Sequence, residues 1–305
     1  MTELTKRNIK RGWMLYAMLA LPVLWYVIFC YVPMGGIVVA FKDYNIYQGI
    51  IKSPWASEGA FEHFKSFLRD SYFWEVFLNT LTIGTFNTMV NFPAPIILAL
   101  IFNELKEGSF KKISQTISYL PYFVSTVAIV SIVIAMLSPS TGIVNFILKS
   151  FGMEPVNFIM EPIYFIPIFV LTNMWKNIGW GTIIYIASMT NVNPELYEAA
   201  EIEGAGRLRK MWHITLPAIK PTIVILLILS MPGILSADFE TVLLLQRPQT
   251  YSVSDVIPTY VYRKGLIDAR FDFGTAMGLF FAIINMFIIY TSNRLSKKAA
   301  DISIW

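Results

Sequence analysis

Lys176, Asp238 and Glu240 are charged residues within apolar stretches of this sequence that are long enough to cross a bilayer. A charge is costly in hydrocarbon, so an ionisable residue within a membrane span marks a substrate or ion path by default. Asparagine and tryptophan accompany the lysine, and aromatic side chains with a few hydrogen-bonding groups are typical of small-molecule binding sites. The candidate residues of the substrate path are Asn173, Trp175, Lys176, Trp180, Asp238 and Glu240.

Two interpretations of these polar residues stay open. They could line a translocation cavity, or they could pack between subunits and extend their long side chains to water. Lys176 and Asp238 are not expected to form an ion pair, because their depths below the outer face differ by about 10 Å at about 1.5 Å per residue.

The composition excludes several classes of protein. Hydrophobic residues make up 55% of the 305 positions and charged residues 14%, against about 25% charged in soluble domains. The single cysteine, Cys30, excludes a disulfide framework, and His63 and His213 have no partners at ligand spacing, so no metal site is expected. The net charge of +4 comes from short basic clusters, which favours membrane orientation over nucleic-acid binding.

The sequence also lacks a phosphate-binding loop. No Gly-x4-Gly-Lys-Ser/Thr pattern occurs, so the chain is not expected to hydrolyse ATP or to bind a cofactor. The stretch "GAGRLR" at 204–209 begins like a dinucleotide-binding fingerprint, but it ends in Arg209 rather than glycine and no strand precedes it.

Six apolar stretches predict transmembrane helices, each of which requires about 20 residues. We therefore expect an all-α polytopic membrane protein with a single membrane domain over 1–305. The predicted spans are 13–40, 72–102, 115–137, 162–188, 218–245 and 273–293.

The distribution of basic residues predicts the orientation of these spans. More than half of the 24 Lys and Arg residues fall in segments on one side of the membrane, beginning with Lys6, Arg7, Lys10 and Arg11. Because such residues are enriched in cytoplasmic segments, we expect both termini and the segment 189–217 to be cytoplasmic.

The polar segment 193–217 lies between the fourth and fifth predicted spans. Asn193 is a typical N-cap, Pro194 suits the first helical position, and two glutamates follow in the opening turns. Gly204 is predicted to end this helix in the left-handed conformation, and a second short helix is predicted over 206–213. Such a pair of helices suits docking into a groove of a partner, and an ordinary cytoplasmic loop is the alternative.

This segment resembles the EAA motif of ABC importer permeases. "YEAAEIEGAGRLRKMWHITLP" (197–217) carries E-A-A, G-A and I-x-L-P at the spacings of that family, with Glu203 in place of the usual Asp and Met211 where Phe is frequent. The resemblance implies that Glu198 contacts a separate ATPase, that the alanines permit close approach, and that Gly204 forms the turn. The implied coupling residues are Glu198, Ala199, Ala200, Glu203, Gly204, Ala205, Ile214, Leu216 and Pro217.

Other stretches extend the resemblance over nearly the whole chain, to sugar-importer permeases of the polysaccharide, lipoprotein-linked branch. It implies the type I ABC importer permease architecture, with six transmembrane helices in a bacterial plasma membrane. It also implies an oligosaccharide substrate, with acidic fragments of pectin or alginate among the candidates. The stretches are 31–45, 91–105, 117–123, 175–185 and 260–266.

The same resemblance implies a set of partners. These are a second, similar permease, two ATPase subunits that carry ATP and magnesium, an extracellular lipid-anchored solute-binding protein, the oligosaccharide and membrane lipid. Closure of the ATPases would pass through 193–217 to a cavity that opens alternately to the two sides. No nucleic-acid partner is expected.

Two functions of other classes are the alternatives. A secondary transporter working alone on an ion gradient usually has inverted repeats and carboxylates near the midplane, and this sequence has no evident repeat. A membrane-embedded enzyme needs a catalytic set of residues, and no histidine lies in any predicted span.

Overall fold

The structure is a computed structural model that describes residues 12–300 and Ser303. The described residues form no β-strand and only one isolated bridge, between Lys42 and Trp55, so the predicted all-helical class is confirmed. Its main helices, numbered in chain order, are α1 Trp13–Phe41, α2 Glu62–Arg69, α3 Ser71–Glu104, α4 Ser109–Phe123, α5 Thr126–Met136, α6 Ile143–Ser150, α7 Pro162–Met189, α8 Pro194–Ile202, α9 Arg207–Leu245 and α10 Phe271–Ala300.

Four of the described helices are long and apolar enough to cross a bilayer, namely α1, α3, α9 and α10. A fifth span results if α4 and α5 are counted together, although they meet at a bend of 104°. The helix α7 coincides with the predicted span 162–188 and is 28 residues long. The helix α7 is not one of the four helices that are apolar enough to cross a bilayer, and it carries the polar residues Asn173, Lys176 and Asn177 in its middle. The number of six spans therefore stays a prediction.

The predicted orientation also stays a prediction. The basic residues Lys6, Arg7, Lys10 and Arg11, on which it partly depends, lie outside the described residues.

The predicted span 115–137 is wrong as one continuous helix. The last turn of α4 is a tight 3-10 turn containing Pro121, and Val124 and Ser125 after it are extended. The Ser125 hydroxyl then accepts a hydrogen bond from the backbone N–H of Ala128 at 3.3 Å and so caps the start of α5. The chain thus begins a new helix inside an apolar stretch.

The predicted second short helix over 206–213 is wrong as a separate element. The helix α9 begins at Arg207 and continues through a wider π turn, Met211–Thr215, up to Ser230. This π turn lies just before Pro217, whose missing N–H interrupts the regular hydrogen-bond ladder, and membrane helices accommodate proline by such local adjustments. The end of the polar segment is therefore the first part of a membrane helix.

The chain divides into two compact units, each defined by the contacts among its own residues. One comprises residues 1–69 and 261–280, and in its described part Phe67 is fully buried against the rings of Phe273 and Phe280, with centroids at 5.9 and 5.4 Å. The other comprises 70–260 and 281–305 and holds every residue predicted above to function. The single membrane domain stays a prediction.

Two buried apolar clusters organise the second unit. The first joins α3, α5, α7 and α9 and includes Ile83, Val130 and Phe169. The second joins α3, α7 and α9 and includes Ala99 and Tyr185. Close van der Waals packing of these side chains between the helices holds α7 in the unit.

Two glycines allow helices of this unit to approach closely. A Cβ atom at Gly84 would lie 1.9 Å from the carbonyl oxygen of Ile234, and one at Gly179 would lie 1.9 Å from that of Ser118. Small residues at helix contacts are a common means of close packing in membranes. The second contact holds the end of α4 beside the middle of α7.

Candidate functional site

The helix α8 has the ends that the sequence predicts. The Asn193 side chain accepts a hydrogen bond from the backbone N–H of Glu195 at 3.1 Å, and Pro194 occupies the first helical position. At the other end Gly204 is left-handed, with φ of 76°. Its N–H and that of the next residue donate back to carbonyls of the last turn, at 3.0 and 2.8 Å, which is the usual glycine-terminated helix end. Both predictions are confirmed.

Two side-chain contacts join α8 to the start of α9, and sequence reasoning missed both. The hydroxyls of Tyr197 and Thr215 lie 2.9 Å apart, and Thr215 is fully buried. Lys210 forms an ion pair with Glu201. The hydrogen bond and the charge of Lys210 hold the pKa of the Glu201 carboxyl below its usual value of 4.5. These contacts fix the angle between α8 and the membrane helix that follows it.

The predicted coupling residues gather where α8 meets α9. Glu198 and Pro217 are exposed, Gly204 makes the turn, and Leu216 is half-buried against the second apolar cluster. A cavity of about 360 Å³ at the junction is lined by the other five: Ala199, Ala200, Glu203, Ala205 and Ile214.

The same region exposes large apolar side chains. Ile202 is 89% exposed, Leu208 70% and Trp212 67%. Large apolar side chains presented on a compact element are typical anchors of protein interfaces. Sequence reasoning missed Leu208 and Trp212, although a leucine and a tryptophan within the basic run "RLRKMWH" are a usable signal.

A second group of predicted residues lies at the middle of α7, beside the break between α4 and α5. The Lys176 ammonium donates a hydrogen bond to the Thr126 hydroxyl at 2.5 Å. The Trp180 ring stacks on the ring of Tyr122, with centroids 4.5 Å apart and planes 4° apart. Two predicted residues are thus brought together with two that sequence reasoning missed, because Tyr122 and Thr126 read as ordinary members of an apolar stretch.

Asn173 and Trp175 have different surroundings. Asn173 is buried, and its amide nitrogen donates to the side-chain oxygen of Asn87 at 3.3 Å, whereas its own side-chain oxygen has no hydrogen-bond partner in the described part of the chain. Trp175 lines an apolar cavity of about 520 Å³ together with Val133 and Leu171. Whether either residue lines a substrate path stays a prediction.

Asp238 and Glu240 are exposed at an irregular point of α9. Ala237 and Asp238 both have positive φ, 41° and 39°, a conformation that costs a residue with a side chain about 1–2 kcal/mol. The Asp238 carboxylate accepts a hydrogen bond from the Thr241 hydroxyl at 2.7 Å. Lys176 has no carboxylate partner among the residues that the structure describes.

Comparison with known sequences identifies close relatives. The family described as the binding-protein-dependent transport system inner membrane component matches residues 91–300. The polygalacturonan/rhamnogalacturonan transport system permease protein YteP of Bacillus subtilis (strain 168) is 42% identical, over 95% of this chain and 90% of its own length. Protein LplB of the same organism is 40% identical, also over 95% of this chain and 90% of its own length.

Solved structures agree with these relatives. A chain of the bacterial alginate ABC transporter, in complex with alginate pentasaccharide-bound periplasmic protein, matches with a TM-score of 0.89 at 40% identity, over 98% of this chain and 99% of that one. A bacterial ABC transporter involved in the import of the acidic polysaccharide alginate gives the same TM-score at 41% identity. These comparisons give no support to the secondary-transporter alternative. The chain belongs to the family of inner membrane components of binding-protein-dependent transport systems, and it is a multi-pass permease subunit of the ABC type in a bacterial membrane.

Proposed function

We propose that this chain is one of the two permease halves of an ATP-driven importer of acidic oligosaccharides. The observation that carries the proposal is the agreement between YteP and the two matched structures. YteP is named as a permease for polygalacturonan and rhamnogalacturonan, and the matched structures are importers of alginate. All three polymers contain uronic acids, so a uronate-containing oligosaccharide is the substrate class that these relatives, at 40–42% identity, share.

In this proposal α8 is the element that a separate ATPase holds. Exposed Glu198 makes the polar contact, and the alanines that line the junction cavity leave room for the partner. Ile202, Leu208 and Trp212 add the apolar anchors. Movement of the ATPase would then displace α8 against the membrane helices.

The contacts between α8 and α9 make this transmission physically plausible. The Tyr197–Thr215 hydrogen bond resists a change of angle between the two helices, and the exposed Lys210–Glu201 ion pair adds a small contribution. Because α9 continues from Arg207 into the membrane, a push on α8 becomes a tilt or rotation of a span. That is the kind of rigid-body movement that alternating access requires.

The assembly that we propose contains a second, similar permease, two ATPase subunits that hold ATP and magnesium, and a lipid-anchored solute-binding protein on the outer side. One feature of the chain supports a further membrane partner. The helix α1 exposes large apolar residues along most of its length, among them Trp13, Met18, Leu21 and Phe29, and lipid or the second permease must cover them.

The test is ATP-driven uptake of a labelled uronate oligosaccharide by the complete complex in proteoliposomes, with Glu198→Lys compared with wild type. We expect Glu198→Lys to abolish uptake while the complex still assembles, since the exchange places a positive charge where a polar contact is needed. The control is Glu195→Lys, a charge reversal at another exposed glutamate of the same helix, outside the motif. Equal losses in both variants, or undiminished uptake in Glu198→Lys, would remove the coupling contact from Glu198.

A further inference from the structure

Two cavities lie side by side near the end of α10, and Leu295 lines both of them. The first, which we call the basic cavity, has a volume of about 630 Å³. The second, which we call the apolar groove, has a volume of about 330 Å³ and lies between α9 and α10. Besides Leu295, the basic cavity is lined by Tyr290, Asn293, Arg294, Lys297 and Lys298.

The basic cavity presents three cations from one face of α10. Lys297 and Lys298 follow Arg294 at three and four positions, and residues at that spacing are neighbours on a helix surface. All three are exposed, and no carboxylate pairs with any of them in the part of the chain that the structure describes. The Arg294 guanidinium lies over the Tyr290 ring, 5.0 Å from its centroid. The cavity therefore offers an anion several positive charges, one of them held in place.

This end of α10 lies at the level of lipid headgroups. Arg294 is 23 residues after Phe271, where α10 begins, so it lies about 35 Å along the helix at about 1.5 Å per residue. The hydrocarbon core of a bilayer is about 30 Å thick, and α10 is apolar enough to cross it. Tyr290 agrees with this depth, because tyrosine is enriched where hydrocarbon meets headgroups.

The apolar groove extends from this level along α9. Its wall on α9 covers about 10 Å of helix at about 1.5 Å per residue, and the opposite wall is Ser292, Leu295 and Ser296. Leu227 is still 37% exposed, so the described part of the chain does not fill the groove. The wall on α9 follows the spacing of a single helix face and consists of Val224, Leu227, Ile228 and Met231.

A phospholipid has the two properties that this pair of cavities requires. Its phosphate is negative and lies at the headgroup level, and its acyl chains are apolar and extend into the hydrocarbon core. Basic pockets between membrane helices are a known means of binding anionic headgroups. Unpaired cations next to an apolar groove therefore favour an anionic lipid over a neutral one.

We infer that the basic cavity and the apolar groove together bind one anionic phospholipid. The headgroup phosphate lies among Arg294, Lys297 and Lys298, and one acyl chain lies in the groove beside Leu227. The bound lipid holds α9 against α10, two spans between which the chain itself leaves a groove. This inference does not depend on which substrate the permease transports.

The test is native mass spectrometry of the complete complex, with its second permease and ATPase subunits, in a nonionic detergent. Phosphatidylglycerol is the anionic probe, and phosphatidylcholine with the same acyl chains is the neutral comparison. Lipids bound elsewhere in the complex are common to all variants, so the site is measured as the difference from wild type. Wild type should bind one phosphatidylglycerol at this site at least tenfold more tightly than phosphatidylcholine.

The cations are tested by the double exchange Arg294→Gln and Lys297→Gln. It should weaken the binding of this one phosphatidylglycerol by about 10- to 30-fold, because each basic residue near an anionic lipid surface contributes roughly fivefold. The control is Lys106→Gln with Lys112→Gln, which removes two exposed lysines outside the site and should match wild type. Arg294→Lys with Lys297→Arg keeps both charges and should retain the binding.

The groove is tested by Leu227→Trp, whose larger side chain fills the space for the acyl chain and should also weaken the binding. If this variant lowers the unfolding temperature of the complex, the exchanges of Arg294 and Lys297 decide, because they leave the packing between the helices unchanged. Equal affinities of wild type for the two lipids, or undiminished binding by the double Gln variant, would overturn the inference. Glycerophosphoglycerol, the same headgroup without acyl chains, should bind far more weakly; equal binding would show a phosphate site and overturn the lipid site.

Discussion

In the coupling segment, residues 193–217, the side-chain contacts join neighbours in sequence: Tyr197 and Thr215 are 18 positions apart, and Glu201 and Lys210 are 9 apart. In the cluster at the middle of α7, which consists of Tyr122, Thr126, Lys176 and Trp180, the hydrogen bond from Lys176 reaches 50 positions back to Thr126. The first region can take its shape from its own caps and turn. The second exists only where separate helices pack, so its chemistry depends on the whole unit. This difference predicts which substitutions act locally and which act on the fold.

The largest effect is expected for Gly179→Ala. A Cβ atom there would lie 1.9 Å from the Ser118 carbonyl oxygen, so α4 and α7 must separate, and overpacking of this kind typically costs about 1–3 kcal/mol. We expect lower thermal stability of the purified permease and loss of uronate uptake together. Gly278→Ala is the control, because nothing lies within 4 Å of a Cβ at that position. A Gly179→Ala variant as stable as the control would contradict the close packing.

A smaller and local effect is expected for Gly204→Ala. The left-handed conformation of Gly204, with φ of 76°, costs a residue with a Cβ about 1–2 kcal/mol. ATP-driven uptake should fall because the end of α8 is distorted, while the permease unfolds at nearly the wild-type temperature. Gly206→Ala, whose backbone is extended with φ of −69°, should behave as wild type. Equal effects of both exchanges would mean that the turn carries no strain.

Tyr197→Phe should have a weaker effect still. It leaves the buried Thr215 hydroxyl without its partner, and such a hydrogen bond is worth about 0.5–1.5 kcal/mol. Because the bond braces α8 against α9, we expect ATP hydrolysis to continue while less substrate is transported for each ATP. Tyr47→Phe, at a tyrosine that is 96% exposed, is the matched control. An unchanged ratio of transport to hydrolysis would show that the brace is dispensable.

The smallest effect is expected from the Lys210–Glu201 ion pair, since Glu201 is exposed and exposed pairs contribute little. Lys210 lowers the pKa of Glu201 from its usual value of 4.5. The ion pair therefore stabilises the segment at any pH above 4.5, and this stabilisation is lost as the pH falls through the lowered pKa. Between pH 6 and 8, Glu201→Gln should therefore change uptake only slightly. A marked pH dependence in that range that disappears in Glu201→Gln would contradict this assignment.

The sequence was sufficient for features that local chemistry determines. The Asn193 cap and the Gly204 stop depend on residues within one or two turns, and both are found in the structure. Lys176 could be identified because a charged residue in an apolar stretch is conspicuous, and Trp180 because an aromatic face beside such a charge suits a binding site. Their partners Tyr122 and Thr126 could not, since nothing in the sequence indicates which helices meet.

The two errors in helix assignment have related causes. The break after Pro121 was missed because proline is tolerated in membrane helices, and hydropathy does not distinguish a tolerated proline from a helix end. The continuous start of α9 was missed because Pro217 indicates a new helix, whereas a π turn, Met211–Thr215, carries the helix past it. In both cases tertiary packing decides between alternatives that the local sequence leaves equal.

The most direct test of this account is uptake of a labelled uronate oligosaccharide by wild-type permease in proteoliposomes, with the ATPase, second permease and binding protein added in turn. The account predicts accumulation only when all components and ATP are present, and none from an ion gradient alone. Accumulation by this permease without the ATPase, driven by a proton or sodium gradient, would contradict it.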